Sequence, residues 1–208
     1  MPSERQPAGP HEPRAPQRRS VRLAGYDYSQ AGAYFVTICT QGRECVLGEV
    51  AEAEMRLNAW GEIVEACWEE IPRHLRHADL DAFVVMPNHL HGVIVLLERD
   101  AVAPRPQLRA RHAVPLRGRA EVGRQRLEQF GAPVAGSLAT VIRSFKSAVT
   151  RQVRSLRGAV GRPLWQRNYY EHIIRNEQDL EEIREYIAQN PGRWEEDENN
   201  PAAFRPRL

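Results

Sequence analysis

Two histidines stand one residue apart in the run VVMPNHLHGVIVL, residues 84–96, which is otherwise apolar. Side chains alternate between the two faces of a β-strand, so His89 and His91 share a face and Leu90 points into the core. Neutral imidazole is the commonest metal ligand in proteins, and two imidazoles on one face supply half of a divalent-cation site. The alternative for an isolated pair is a surface strand with two solvated histidines.

A tyrosine and an asparagine near the C-terminus could complete such a site. Tyr186 and Asn190 are four residues apart in a segment of helical spacing, so they lie one turn apart on the same helix face. A phenol is a poor nucleophile at its free pKa of about 10, but a neighbouring divalent cation that polarises a phosphoryl oxygen makes attack on phosphorus easier. The amide oxygen of Asn190 could be the third ligand. Mixed nitrogen and oxygen ligands suit Mg²⁺ or Mn²⁺.

The elements that must position these residues follow from the spacing of apolar side chains. The pattern predicts, in chain order, strand 33–41, helix 57–71, strand 81–86, strand 89–97, helix 137–156, strand 169–174 and helix 176–191. The dipeptide Pro87-Asn88 joins two of these strands and predicts an antiparallel hairpin with both histidines at its tip. This order predicts an α+β ferredoxin-like sandwich, an antiparallel sheet with two helices on one face, plus an appended C-terminal helix.

Three segments are expected to lie outside this framework. Residues 1–24 are rich in arginine and proline and predict a disordered basic arm. Residues 98–136 predict a long proline- and arginine-rich loop inserted into a domain of residues 25–194. Residues 195–208 form a C-terminal tail whose acidic stretch EEDEN, residues 195–199, would repel DNA. We expect that stretch to lie away from the substrate path or to be autoinhibitory.

The helix at 137–156 has an apolar stripe and a basic opposite face. Residues 137–162 contain no acidic residue. Without counter-charges such a face should repel itself unless an anion lies along it, although a solvated helix face is the alternative. Nucleic acid is the favoured partner, with phosphate or base contacts predicted for Arg143, Lys146, Arg151, Arg154, Trp165 and Arg167. Trp165 is equally compatible with a place in the core.

Composition excludes several other classes of protein. The 208 residues carry a net charge of +2 and three cysteines, which form no C-x-x-C pair. This argues against a disulfide framework or a thiolate zinc site and predicts reduced cysteines in the cytoplasm. No apolar run reaches membrane-spanning length, and the N-terminal residues lack a signal-peptide core, so no membrane partner is expected.

Three stretches, VVMPNHLHGVIVL, LWQRNYYEHIIRNEQDLEEIREYI and YIAQNP, together resemble the REP-associated tyrosine transposases. These are a branch of the single-tyrosine HUH transposases of the insertion-sequence-200 type. The likeness covers roughly residues 24–194. It implies a ferredoxin-like HUH endonuclease fold, with His89 and His91 as the motif histidines, Tyr186 as the nucleophile and Asn190 as a metal ligand. Related insertion-sequence transposases often carry glutamine at that last position.

The resemblance also implies a reaction and a partner. Such enzymes use Mg²⁺ or Mn²⁺ to cut single-stranded DNA beside a hairpin, leaving a 5′-phosphotyrosine on the protein and a free 3′-OH, and rejoining reverses the step. They act as monomers or as homodimers that exchange the tyrosine helix.

Several alternatives stay open from the sequence. The chain could be a catalytically silent protein that binds hairpin DNA, or a metallohydrolase that uses bound water. Tyr169 and Tyr170 are alternative nucleophiles, of which strand alternation sends one into the core. His172 is a structural histidine or a group that supports the site.

Overall fold

The computed structural model of the chain describes residues 26–98, 134–157 and 162–203. The expected basic arm, nearly all of the inserted loop and the last residues of the tail lie outside these ranges. The described elements, in chain order, are β1 (Gly32–Cys39), β2 (Gly48–Ala51), β3 (Glu54–Leu57), α1 (Ala59–Glu69), α2 (Ile71–His74), β4 (Ala78–Met86), β5 (His89–Leu96), α3 (Leu138–Arg157), β6 (Tyr170–Ile174) and α4 (Glu177–Gln189), with 3₁₀ helices at Gln41–Arg43 and Pro191–Glu196.

Four of the strands form one antiparallel sheet in the order β4-β5-β1-β6. The chain enters at the centre of the sheet with β1, and the β4–β5 hairpin and β6 add on its two sides. Together with helices between β1 and β4 and between β5 and β6, this is the predicted ferredoxin-like sandwich with a C-terminal helix. The α+β fold class is confirmed.

Helices α1 and α3 cover one face of this sheet. Leu90 and Ile94 of β5 are fully buried there, in the same cluster as the apolar stripe of α3. Trp68 of α1 lies against Gly92, where a Cβ atom would come within 2.4 Å of the indole Cζ2. Glycine at this position therefore lets α1 approach the strand directly after His91.

Helix α4 covers the opposite face. Its N-cap is Asn176, whose side chain accepts a hydrogen bond from the backbone N–H of Asp179 at 2.9 Å. Leu180 and Ile187 are buried against the strand residues of this second core. Arg184 donates two hydrogen bonds to Asp81 of β4, at 2.8 and 2.7 Å, and so fixes the rotation of the helix.

Some elements depart from the sequence-based expectation. The predicted helix 57–71 corresponds to α1, and the short helix α2 that follows it was not predicted; Pro72 in the first turn of α2 can begin a helix but cannot continue one. The β2–β3 hairpin was not predicted. Its turn residues Glu52 and Ala53 have φ values of 55° and 62°, in the left-handed region, without the usual glycine or asparagine as a sequence signal.

The C-terminal segment folds back over the tip of the β4–β5 hairpin. Asp197, Asn199 and Asn200 are buried. The backbone carbonyl of Asn199 accepts a hydrogen bond from Asn88 at 2.7 Å, and that of Glu198 accepts one from Arg43 at 2.9 Å. The acidic stretch therefore lies beside the hairpin tip.

Within the described part of the chain, every helix is too short or too polar to cross a bilayer.

Candidate metal centre

The two histidines lie on the α4 face of the sheet, directly after the turn of the β4–β5 hairpin. In the strand register His91 is opposite Thr37 and His89 is opposite Cys39. Their side chains are 2% and 0% exposed, while Leu90 between them enters the opposite core. The predicted alternation is confirmed. The alternative of solvated surface histidines is wrong, because the C-terminal segment and α4 cover both rings.

Three short contacts hold the imidazole rings. The Nε2 atoms of His89 and His91 are 2.9 Å apart. Nδ1 of His89 is 2.8 Å from Oδ1 of Asn88, and Nδ1 of His91 is 2.9 Å from the hydroxyl of Thr37. Burial lowers the pKa of each histidine to about 3, with the nearby charge of Arg43 as a further cause at His89. Both imidazoles are therefore neutral near pH 7, which is the form that binds metal ions.

A carboxylate that the sequence analysis did not assign completes the pocket. Oδ2 of Asp197 is 3.8 Å from Nε2 of His89. Because His89 is neutral, this contact is not an ion pair. The carboxylate accepts hydrogen bonds from the backbone N–H of Asn199 at 2.6 Å and from the amide of Asn190 at 3.2 Å. Asp197 thus lies among the predicted ligands. Because both histidines are neutral, neither balances its negative charge.

Asn190 brings an amide oxygen to the same pocket. Its side chain is 3% exposed, and Oδ1 accepts no hydrogen bond of ordinary geometry from the described residues. Leaving such a buried acceptor without a donor costs about 1–3 kcal/mol. A cation in the pocket would satisfy this oxygen, so the orphaned Oδ1 is an observation in favour of metal binding.

The donor set fits a divalent metal ion. The ligand atoms of His89, His91 and Asp197 lie within 4.8 Å of one another. Two ligands at 90° on an octahedral ion, each about 2.1 Å from it, would be about 3 Å apart. The observed separation of the two Nε2 atoms, 2.9 Å, matches that value. These buried groups could therefore hold a metal ion.

Tyr186 lies beside this pocket, in the last turn of α4. Its hydroxyl is 3.2 Å from Nε2 of His91. Phe35 supports both rings, since it stacks on His91 with centroids 5.4 Å apart and meets Tyr186 edge-on at 6.0 Å. The tyrosine remains 39% exposed, so a substrate could reach it. Burial, and secondarily the charges of Asp197 and Glu198, raises the pKa of Tyr186, so the phenol is protonated at neutral pH.

The strand register separates the two competing tyrosines. Tyr170 is opposite Thr37 in β6, so it shares the sheet face of His91 but lies two strands away from it. Tyr170 is 48% exposed. Tyr169 packs against the opposite core, with the amine of Lys146 at 5.6 Å from its ring centroid. Of the three phenols, Tyr186 is the one whose described contacts include a site histidine.

His172 pairs with a neighbour instead of facing the pocket. Its Nε2 is 3.0 Å from both carboxylate oxygens of Asp179, in the first turn of α4. This contact ties β6 to the start of α4. It agrees with the interpretation of His172 as a structural histidine.

The arginines predicted to contact DNA on the long helix lie on the far side of the sheet from the histidines. Arg143, Arg151 and Arg154 are exposed on α3, whose apolar stripe covers the Leu90 face. An anionic partner bound along α3 would therefore be separated from the metal pocket by the thickness of the sheet.

The other three predicted DNA contacts have different surroundings. Lys146 donates hydrogen bonds to the backbone carbonyls of Gln166 and Asn168, at 2.9 and 3.0 Å, and burial lowers its pKa to about 8. Trp165 is 6% exposed and belongs to the core. Arg167 is exposed in the loop before β6. Lys146 and Trp165 thus hold this loop in place, and Arg167 is the one of the three that reaches solvent.

Comparisons with known proteins agree with this architecture. No family model matches the chain. An uncharacterized protein of Haemophilus influenzae (strain ATCC 51907 / DSM 11121 / KW20 / Rd) is 40% identical over 181 residues, which are 87% of this chain and 92% of the relative. A solved structure of a REP-associated tyrosine transposase bound to a REP hairpin has a TM-score of 0.52 at 18% identity, covering 83% of this chain and 73% of that chain. The chain belongs to the family of the Haemophilus influenzae protein, and its fold is that of a REP-associated tyrosine transposase.

Proposed function

We propose that this protein is a transposase, a metal-dependent endonuclease and strand transferase that cleaves single-stranded DNA next to hairpins through a 5′-phosphotyrosine at Tyr186. The observation that carries the proposal is the 3.2 Å contact between the Tyr186 hydroxyl and Nε2 of His91, at a buried pocket of metal-binding groups. The substrate class is supported by the fold likeness to a transposase bound to a REP hairpin.

The residues that would hold the metal are His89, His91, Asp197 and Asn190. Two nitrogen and two oxygen donors suit Mn²⁺ or Mg²⁺, and the imidazole pair favours Mn²⁺. When bound, the metal would polarise a phosphoryl oxygen of the DNA and neutralise charge that builds up on it. The same charge would lower the barrier for a phenol whose pKa burial has raised.

The chemical step at Tyr186 is an exchange of two bonds at phosphorus. The phenolic oxygen forms an O–P bond, and the bond between phosphorus and the 3′ oxygen of the upstream nucleotide breaks. The phenol loses its proton and the departing oxygen gains one, so charge is conserved. The phosphotyrosine retains the free energy of the broken phosphodiester, and attack by a 3′-OH reverses the step.

The rest of the chain orients these groups. Phe35 keeps the rings of His91 and Tyr186 in contact, and α4 presents Tyr186 from a helix that is anchored at both its start and its middle. Arg143, Arg151 and Arg154 on α3 would bind the phosphates of a hairpin stem on the far side of the sheet, and Arg167, exposed in the loop before β6, would add a further phosphate contact. Exposed basic side chains of this kind support backbone binding without sequence preference.

The test is formation of a covalent protein–DNA adduct. End-labelled single-stranded hairpin oligonucleotides are incubated with the full chain and Mn²⁺ or Mg²⁺, and products are separated under denaturing conditions. We expect an adduct that requires the metal and disappears in Tyr186→Phe, while hairpin binding is retained. Tyr170→Phe is the matched control, because it removes an exposed hydroxyl from the same sheet face and should leave the adduct intact.

Two outcomes would contradict the proposal in different ways. An adduct that persists in Tyr186→Phe and disappears in Tyr170→Phe would show that the nucleophile is Tyr170, in β6. Tight hairpin binding with no adduct under either metal would instead identify a protein that binds hairpins without cutting them. Cleavage without an adduct would point to bound water as the nucleophile.

A further inference from the structure

Asn88, in the turn before His89, is fully buried. Both polar atoms of its side chain, Nδ2 and Oδ1, have hydrogen-bond partners among the described residues. Nδ2 donates to the backbone carbonyl of Arg43 at 3.0 Å and to that of Asn199 at 2.7 Å. Oδ1 is 2.8 Å from Nδ1 of His89. The side chain therefore joins the first 3₁₀ turn, the C-terminal segment and the histidine strand.

These partners fix the orientation of the amide. A carbonyl oxygen can only accept a hydrogen bond, so the nitrogen of Asn88 must face Arg43 and Asn199, and its oxygen must face His89. Since an amide oxygen also only accepts, Nδ1 of His89 must carry the proton. In a neutral imidazole Nε2 then has a free lone pair, and this is the atom that faces His91 and Asp197.

The second histidine is not fixed in the same way. Because Nε2 of His89 has no proton, a hydrogen bond across its 2.9 Å contact with Nε2 of His91 requires the proton on His91. The Tyr186 hydroxyl, 3.2 Å from that nitrogen, is then an acceptor, and Nδ1 of His91 accepts from the Thr37 hydroxyl. If both Nε2 atoms were to bind one ion, the His91 proton would have to move to Nδ1. Nδ1–H of His91 would then donate a hydrogen bond to the Thr37 hydroxyl, since a hydroxyl both donates and accepts. No proton is gained or lost overall.

We propose that Asn88 is a positioning residue that holds His89 permanently in the Nδ1–H tautomer, so that His89 is the preset metal ligand and His91 the one that changes tautomer when metal binds. This inference rests on the metal site of the proposed function. It adds that His89 is the preorganised ligand and that Asn88 orients it.

The surroundings of Asn88 are built to keep its carbonyl partners in place. Arg43 has a φ of 56°, a left-handed conformation that is unfavourable for a residue with a Cβ atom, and it is the carbonyl of Arg43 that accepts from Asn88. The second partner, Asn199, is held by its own N–H, which donates to Asp197 at 2.6 Å. The C-terminal segment thus contributes one proposed metal ligand, Asp197. It also contributes the carbonyl of Asn199, which holds Asn88, the residue that orients His89.

The direct test is the tautomer of each histidine in the metal-free wild-type chain. Long-range ¹H–¹⁵N correlation spectra of ¹⁵N-histidine-labelled protein distinguish Nδ1–H from Nε2–H, with signals assigned from His89→Gln and His91→Gln. We expect Nδ1–H at His89 and Nε2–H at His91. Addition of Zn²⁺, a diamagnetic probe, should convert His91 to Nδ1–H and leave the His89 tautomer unchanged. Nε2–H at His89 in the metal-free protein would overturn the inference.

Metal affinity supplies the second readout. We expect Asn88→Ala to weaken Mn²⁺ binding, measured by calorimetry, by about 10- to 100-fold, as for other residues that orient metal-bound histidines. Asn88→Asp keeps an acceptor for Nδ1–H but places an oxygen opposite the carbonyls of Arg43 and Asn199, so it should lower stability while losing less Mn²⁺ affinity than Asn88→Ala. Asn58→Ala is the matched structural control, because Asn58 caps α1 and donates to the carbonyl of Val46 without touching the pocket. It should lower stability and leave Mn²⁺ affinity unchanged.

The possible failures are separable. Equal Mn²⁺ affinity in Asn88→Ala and wild type would overturn the positioning role. If the wild type bound no Mn²⁺ at all, the metal site of the proposed function would fail, while the metal-free spectra would still decide the tautomer of His89. The spectra also decide the matter if Asn88→Ala does not fold.

Discussion

The carboxylate of Asp197 is the charged member of an otherwise neutral pocket. It is almost fully buried, and its two described hydrogen-bond donors, the Asn199 N–H and the Asn190 amide, are both uncharged. A buried anion without a cationic partner is costly, which is why such groups usually pair or bind metal. A cation bound between Asp197 and His89 would therefore stabilise the pocket most, because it would balance this buried charge.

At the residue scale we expect Asp197→Asn to weaken Mn²⁺ affinity by on the order of tenfold or more, because a charged ligand becomes a neutral one of the same shape. Calorimetric titration measures the change. The control is Glu198→Gln, which removes the same charge one residue away on an exposed side chain. A similar loss in both variants would mean that the general negative field attracts the metal and that Asp197 does not bind it.

At the scale of elements, the position of Tyr186 depends on how α4 is fixed to the sheet. The helix packs by Leu180 and Ile187, but an apolar stripe alone allows it to slide or rotate. The paired hydrogen bonds from Arg184 to Asp81 remove this freedom. Both side chains are largely shielded, at 29% and 12% exposed, so this ion pair is less screened by water than the exposed pairs elsewhere on the surface.

We expect Arg184→Met to lower the free energy of unfolding by about 1–3 kcal/mol, because it leaves Asp81 partly buried without its charged donor. Adduct formation should slow, since Tyr186 is then less well placed. Urea denaturation and adduct kinetics measure the two effects. In contrast, Arg73→Met breaks an exposed pair with Glu70 and should change stability by no more than about 0.5 kcal/mol. Equal effects of the two substitutions would contradict an anchoring role for Arg184.

At the scale of the whole molecule, one chain supplies every residue of the candidate site. The 3.2 Å contact joins Tyr186 and His91 of the same protomer, across 95 positions of sequence. Exchange of the tyrosine helix between subunits is therefore not needed to assemble the site. A monomer with this arrangement would be competent for the proposed reaction.

Mixing two inactive variants tests this assembly. We expect a mixture of Tyr186→Phe and His91→Ala chains to form no adduct, because neither chain has both groups, and we expect the wild-type rate to be proportional to protein concentration. Denaturing gels of the mixed proteins with labelled hairpin measure the first, and a dilution series the second. Adduct restored on mixing would show that the tyrosine helix acts on the partner's histidines.

Much of the architecture was accessible from local patterns. The periodicity of apolar residues placed the four sheet strands and the two long helices, since burial of one face imposes a period of two on strands and 3.6 on helices. The β2–β3 hairpin escaped because its strands have four residues each and its turn lacks a characteristic dipeptide. The first helix was predicted to end at residue 71, just before Pro72, but the short helix α2 that begins there was not predicted.

By itself the sequence determined the alternation that sets His89 and His91 on one face, and the helical spacing that pairs Tyr186 with Asn190, because both depend only on neighbours a few residues away. Their meeting, the burial of both imidazoles and the entry of Asp197 into the pocket were decided by tertiary structure. Asp197 follows a short 3₁₀ helix in a polar stretch, and no periodicity there indicates which side chain turns inward. Its place depends on hydrogen bonds that the neighbouring Glu198 and Asn199 make to residues more than a hundred positions away. The local spacing of residues does not reveal such contacts.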